Sequence, residues 1–200
     1  MANVTFKSKQ TYNGETFSRL DMTVAKISGS DFEGCTFDKC VFNEAVLTHC
    51  RFTKCRFVGC DLSLFKPQNC RFVDVEFVES KLVGVDWTAV GETKTDRTLF
   101  SASFDQCVLD YGVLKGLPAK KLFKCSAREA DFTEGDLQEA DCRETDFAGA
   151  TFLRSDLRGA NFVGARNYAI DVTRNKVRKA RFSWPDAMAL TAAFGVLIEE

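Results

Sequence analysis

From Ser30 to Leu62 the chain repeats every five residues, SDFEG CTFDK CVFNE AVLTH CRFTK CRFVG CDL, with a large apolar residue in the middle of each five and a small one two places earlier. The large positions are Phe32, Phe37, Phe42, Leu47, Phe52, Phe57 and Leu62; the small ones are Ser30, Cys35, Cys40, Ala45, Cys50, Cys55 and Cys60. An α-helix would carry such a pattern right round its surface, and a flat strand would send alternate fives to opposite faces. The chain must therefore turn a corner every five residues, pointing one large and one small side chain inward along each short extended side. Stacked turns then pair backbone groups from coil to coil, which makes the chain a solenoid. The large positions begin at Tyr12, run through Phe17, Met22 and Ile27, and hold register to Trp87. Four fives per coil fit better than three, because a spacing of 20 aligns Phe17, Phe37, Phe57 and Phe77 in one ladder and Phe32, Phe52 and Phe72 in another.

The places where the pattern fails divide the chain. Residues 1–11 lack it and are expected to form a cap or frayed start, which the open end of a solenoid needs. Pro67 takes a large position within LFKPQNC, which predicts one irregular side there. After Trp87 the pattern is lost across TAVGETKTDRT, about 89–101, and returns with Phe104, Leu109 and Leu114 displaced by two residues, as a loop pushed out of the coil would displace it. A second slip, of three residues, falls in KGLPAKK, about 115–121, after which Leu122, Ala127 and Phe132 resume the register. The coiled domain is expected to span 1–184. Ser183 is a candidate N-cap and Pro185 lies in the first turn of a short C-terminal α-helix and tail over 185–200. Met188, Leu190, Phe194 and Leu197 give that segment more apolar surface than a coil end can hide, and they are candidates for an isologous dimer seam.

Composition adds to this picture in two respects. Phe is the outlier, with 19 in 200 residues, and the large positions take fourteen of them: Phe17, Phe32, Phe37, Phe42, Phe52, Phe57, Phe72, Phe77, Phe104, Phe132, Phe147, Phe152, Phe162 and Phe182. Phe is therefore the expected core filler, and no aromatic binding cleft is needed to explain it. Of nine cysteines, eight fall at the small inward position and Cys142 at a large one. Their spacing fits neither a metal knuckle nor a disulfide between adjacent coils, so they read as small buried hydrophobes of a reducing compartment. No run of 18 apolar residues and no signal peptide is present, and a cytoplasmic location is expected.

The net charge of −1 conceals two opposed bands. Between Lys124 and Asp146 eight acids face three bases, with Asp131, Asp136, Asp141 and Asp146, followed by Asp156, all in the place just before a large position, which should point outward. Between Arg166 and Arg181 six bases face one acid. A direct reader of DNA should be basic overall, so nucleic-acid binding is not expected, although the band at 166–181 could meet phosphate. The single histidine, His49, has no neighbour fixed by spacing, and no phosphate-binding glycine motif is present. Neither catalysis, a cofactor nor a metal is expected.

Small residue, Asp or Asn, Leu or Phe, then two free positions is the signature of the pentapeptide-repeat proteins, and the chain resembles that family over most of its length. The resemblance implies an all-β solenoid, a right-handed β-helix of square cross-section. Within the family it looks most like the topoisomerase-protecting group, through its interrupted coil after VGVDWT, its clean C-terminal block ADFTEGDLQEADCRE and its ending RNYAIDVTRNKVRKARFSWPDAMAL. What that implies is a homodimeric DNA mimic that binds DNA gyrase and rescues it from a poison, giving antibiotic or toxin immunity. The partner surface would be the loop Gly91, Glu92, Thr93, Lys94, Thr95, Asp96, Arg97 and Thr98 together with Asp131, Asp136, Asp141, Asp146 and Asp156. The 27 basic residues make any mimicry by charge partial, with the loop carrying more of the recognition. The alternative is a structural or scaffold module with another protein partner.

Overall fold

A computed structural model describes residues 6–91, 93, 95 and 99–195. The chain winds as a four-sided β-solenoid whose short strands all pair in parallel. The first side is built from β1 (Thr11–Asn13), β4 (Asp31–Glu33), β7 (Arg51–Thr53) and β10 (Arg71–Val73). The second side is the longest, with β2 (Thr16–Ser18), β5 (Thr36–Asp38), β8 (Arg56–Val58), β11 (Val75–Val78), β12 (Ala102–Asp105) and β13 (Lys121–Phe123). It is continued by β14 (Asn161–Phe162) and β15 (Arg181–Phe182). On the third side single bridges join Asp21, Val41, Asp61, Lys81, Val108, Ser126, Asp146 and Arg166. The fourth carries β3 (Lys26–Ser28), β6 (Val46–Thr48) and β9 (Lys66–Gln68). Partners such as Phe32 and Phe52, or Phe17 and Phe37, are 20 residues apart, so each coil takes four fives.

The large positions fill the shaft. Phe17, Phe37, Phe57 and Phe77 stack with centroids 5.3, 4.5 and 5.0 Å apart, and Phe104 continues the ladder at 5.3 Å. Such offset stacking adds to the gain from burial. Thirteen of the fourteen phenylalanines assigned to the core are buried, and Phe182 at the last coil is half-buried. The small inward position has a second role. Cys40, Cys55, Cys60 and Cys70 each point a thiol 3.3 Å from a carbonyl oxygen one coil back, on Phe17, Phe32, Phe37 and Leu47. Ser155 does the same with its hydroxyl, donating to the Phe132 carbonyl at 2.8 Å. All nine cysteines are buried and unbridged. Burial pushes the Cys55 thiol up to about 11, which leaves it protonated and unreactive.

The corners follow one backbone rule. The residue two after most large positions takes a positive φ, as at Arg19 (54°) and Lys179 (63°), with Ala89 after Trp87 and Trp184 after Phe182 as exceptions. That left-handed conformation suits glycine and short polar residues.

Four features depart from the expectations above. Pro67 introduces no irregularity in its own coil, because it lies buried in β9 and pairs with Leu47. Its missing N–H is felt one coil later: Leu62 donates to the Lys81 carbonyl, whereas Pro67 cannot donate at the equivalent place, and the next fourth side forms a 3-10 turn, Trp87–Ala89. The register shifts are an insertion and a deletion. Phe77 pairs with Phe104 across 27 residues, and Phe104 with Leu122 across 18. The C-terminal segment Asp186–Phe194 is a 3-10 helix, not the α-helix expected. Within it the Thr191 hydroxyl donates to the Met188 carbonyl at 2.8 Å, competing with the bond an α-helix would make there. Ser183 does not act through its hydroxyl as an N-cap, since its Oγ accepts the Gly164 N–H at 2.9 Å.

Phe6 closes the N-terminal end, its ring edge-on to Tyr12, Phe17, Phe32 and Phe37. Among the described residues no helix is long and apolar enough to cross a membrane.

Candidate functional site

The loop expected to meet a partner leaves the coil on the first side. Gly91 is buried, and its N–H donates to the Cys70 carbonyl at 2.9 Å. The chain re-enters at Ser101, whose N–H donates to the Phe72 carbonyl while its own carbonyl accepts from Val75. Phe100 anchors the returning arm against Phe72 and Trp87 in the shaft, whereas Leu99 is exposed. Thr93 and Thr95 are exposed between these stems. Glu92, Lys94, Asp96, Arg97 and Thr98 lie outside the described residues.

The five aspartates do not form one surface. Steps of five carry each to the next side, so Asp131 falls on the fourth side, Asp136 and Asp156 on the first, Asp141 on the second and Asp146 on the third. Only Asp136 and Asp156 share the loop's side, bridged to each other on adjacent coils.

Nor are they equally free. Asp146 is buried, contrary to its expected outward position, because three side chains converge on it: Arg128 (2.7 Å), Asn167 (2.9 Å) and Arg166 (3.4 Å). Burial alone would raise its pKa, but the Asn167 and Arg128 hydrogen bonds hold the carboxyl below its ordinary value. Asp141 is gripped by Arg143 through two bonds of 2.8 Å, and Asp156 by Arg158 at 2.8 and 2.7 Å with Lys176 at 3.4 Å; both carboxyls are held low by those guanidinium bonds. Glu134 pairs with Arg154 and Glu144 with Lys124. Asp131 and Asp136 bond only to the neighbouring Thr133 and Gln138, and among the described residues no ion pair engages them. Half of the acids in the band are thus neutralised, by Lys124, Arg128 and Arg143 within it and by Arg154 and Arg166 from the following coils.

At the C-terminal end Trp184 and Phe194 are 76% and 65% exposed, while Met188 and Leu190 are half-buried. Leu197 lies outside the described residues. Beside them a cavity of about 340 Å³ is lined by Tyr168, Ile170, Ala189 and Ala193. The Tyr168 hydroxyl is buried without a hydrogen-bond partner among the described residues, and burial pushes its pKa up to about 12. The sequence reading of the seam does not include Trp184; the signal that marks it is an aromatic directly ahead of a proline, just past the last repeat. Among the described residues no group of three His, Cys, Asp or Glu side chains could hold a metal ion.

Residues 25–63 and 128–165 match the family model for pentapeptide repeats in eight copies, and the chain carries the repeats of that family in both blocks. No curated protein matches it. Among solved structures it is similar to full-length QnrB1, a plasmid-mediated fluoroquinolone resistance protein, at 17% identity over 94% of this chain and 99% of that one, with a TM-score of 0.39. A trypsin-treated form of QnrB1 gives 17% identity over 96% and 99%, with a TM-score of 0.45. HetL, a pentapeptide repeat protein involved in heterocyst differentiation regulation in the cyanobacterium Nostoc sp. strain PCC 7120, gives 17% over 88% and 86%, with a TM-score of 0.37. Likenesses at this level do not discriminate between functions.

Proposed function

We propose that this chain is a binding protein for DNA gyrase, a type II topoisomerase, and protects it from a poison. Pentapeptide-repeat solenoids are generally structural or interaction modules without enzymatic activity. The observation that carries the reading is the long coil, 27 residues from Phe77 to Phe104, whose two stems are clamped to the rod with Thr93 and Thr95 exposed between them. The sequence around it, VGVDWT before the loop and RNYAIDVTRNKVRKARFSWPDAMAL at the end, resembles the topoisomerase-protecting group. Recognition rests on the loop with Asp136 on the same side, and two copies join through the end that exposes Trp184 and Phe194. Asp141, Asp146 and Asp156 stabilise the rod rather than present charge.

The experiment is a supercoiling assay with purified gyrase and a fluoroquinolone, with and without the protein, alongside a pull-down. Restored supercoiling and a stable complex are expected; neither binding nor rescue would sink the reading. A second reading, a scaffold for a different protein partner, is favoured by the ion-paired acids, since a rod with neutralised faces imitates DNA poorly.

A further inference from the structure

One corner of the rod differs from the others in the side chains it carries. At the positive-φ position the other three corners carry glycine, charged or polar residues throughout the described chain. The corner between the third and fourth sides carries Val24 (φ 50°), Leu64 (φ 56°) and Tyr111 (φ 60°), which are 61%, 47% and 64% exposed. These are the three large apolar or aromatic side chains in that conformation among the described residues. Left-handed backbone disfavours all three, and a β-branched Val most of all. Exposure removes the benefit of burial. Neither local conformation nor the core of this chain accounts for them, and outliers of this kind point to an external contact.

The three lie in one straight row. Val24 donates its N–H to Asn43, Glu44 to Ser63, Leu64 to Val83, Gly84 to Asp110, Tyr111 to Arg128 and Glu129 to Ala148, each time to the carbonyl just ahead of the next member. Val24, Leu64 and Tyr111 are therefore two coils apart in succession, about 9.6 Å at ~4.8 Å per coil. Glu44 lies between Val24 and Leu64, and Glu129 follows Tyr111 one coil on; both are exposed and without an ion-pair partner among the described residues. At Gly84 the row has no side chain of its own, and Leu64 reaches across it, so that a Cβ there would come within 2.8 Å of Leu64 Cδ2. A groove of about 350 Å³ opens beside it, with Leu64, Ala89 and the acids Glu44 and Asp86 on its lining against one cation, Lys66.

We infer that this corner is a docking strip for a basic amphipathic helix of a partner protein. Seven helical residues rise about 10.5 Å, so side chains at i, i+7 and i+14 meet Val24, Leu64 and Tyr111 in turn. Lysines or arginines between them face Glu44 and Asp86, and one placed past the third anchor faces Glu129. The strip lies on a different corner from the loop stems and away from the C-terminal end, so it goes beyond the gyrase reading and does not depend on it.

The test uses the full chain and a fluorescent helical peptide of about 20 residues, with leucine at every seventh position and lysine between, followed by anisotropy. The comparison protein is the double variant Leu64→Asn, Tyr111→Asn, because Asn tolerates the left-handed corner. The wild type should bind the lysine peptide and not its glutamate counterpart, and the variant should lose roughly tenfold or more in affinity. Its Tm should be unchanged or higher. No binding of the lysine peptide, equal binding by both proteins, or a lowered Tm in the variant would overturn the inference. It would also fail if the same substitutions abolished binding to phosphatidylcholine vesicles, or self-association in sedimentation, while leaving the peptide unaffected.

Discussion

Phe57 sits between Phe37 and Phe77 with its ring nearly parallel to both and no more than 5.0 Å from either centroid. Phe57→Ala empties the middle of that ladder, and neighbours held by coil-to-coil hydrogen bonds cannot collapse into the space. Chemical denaturation should report a loss of about 3 to 5 kcal/mol, and a change below ~1 kcal/mol would contradict the packing described. Asp146 offers a second test at this scale, because its carboxyl is buried among Arg128, Arg166 and Asn167 and its pKa is held below the ordinary 3.8. A carboxyl depressed in the folded state adds stability above its unfolded pKa, and that stability is lost as pH falls through the folded value. Asp146→Asn should cost on the order of 1 to 3 kcal/mol at neutral pH. It should also unfold less steeply below about pH 4 than the wild type, which thermal melts across the acid range would measure. The difference between these two residues marks what the five-residue period can convey. The inward assignment of Phe57 is legible because period and size both specify it. The burial of Asp146 is not, because it depends on Arg128, 18 residues earlier, and Arg166, 20 later, lying on the same side of adjacent coils. Phe6 was illegible for a related reason: it plugs the shaft from outside the repeat, with no spacing to mark it.

At the scale of the coil, the order of sides follows from the repeat, while its exceptions depend on backbone donors. Pro67 belongs comfortably to β9 because the edge of that three-stranded sheet is where a missing N–H does least harm, and the disturbance appears in the Trp87–Ala89 turn above it. A periodicity argument sees a proline in a large position and cannot see which neighbour would have received its proton. The loop is similar: displacement of the register by two is visible in the sequence, but an insertion of seven followed by a coil two residues short needs the pairings of Phe77, Phe104 and Leu122. Its stems are clamped independently, Gly91 to Cys70 and Ser101 to Phe72, and Phe100 is anchored in the shaft. Replacing residues 92–98 with a short glycine-serine linker should therefore leave the thermal midpoint nearly unchanged, since loop closure changes only slowly with length. The same variant should lose protection of gyrase in the supercoiling assay. Full protection by the shortened protein would move recognition away from the loop and favour the scaffold reading.

For the whole molecule, nine rungs from Phe17 to Phe182 make eight steps, about 38 Å of rod at ~4.8 Å per step. The N-terminal end is closed by Phe6, whereas the C-terminal end exposes Trp184 and Phe194 beside the cavity lined by Tyr168 and Ile170. That asymmetry gives the rod one finished end and one apolar end, and a two-fold pairing of the apolar ends is the arrangement that hides both at once without leaving an open edge. The cost of leaving them apart is also higher than the linear sequence suggests, because the 3-10 winding of Asp186–Phe194 keeps Phe194 out of its own core. Phe194→Asp places a carboxylate in the proposed seam, where pairing would have to desolvate it. Sedimentation velocity should then give the monomer mass at concentrations where the wild type is expected to sediment as a dimer. Because Phe194 is 65% exposed in the single chain, the variant's thermal midpoint measured as a monomer should be close to that of wild type diluted below its dimer dissociation constant. A dimer that survives the substitution would place the seam elsewhere on the rod, and a variant that fails to fold would instead make Phe194 part of the end cap.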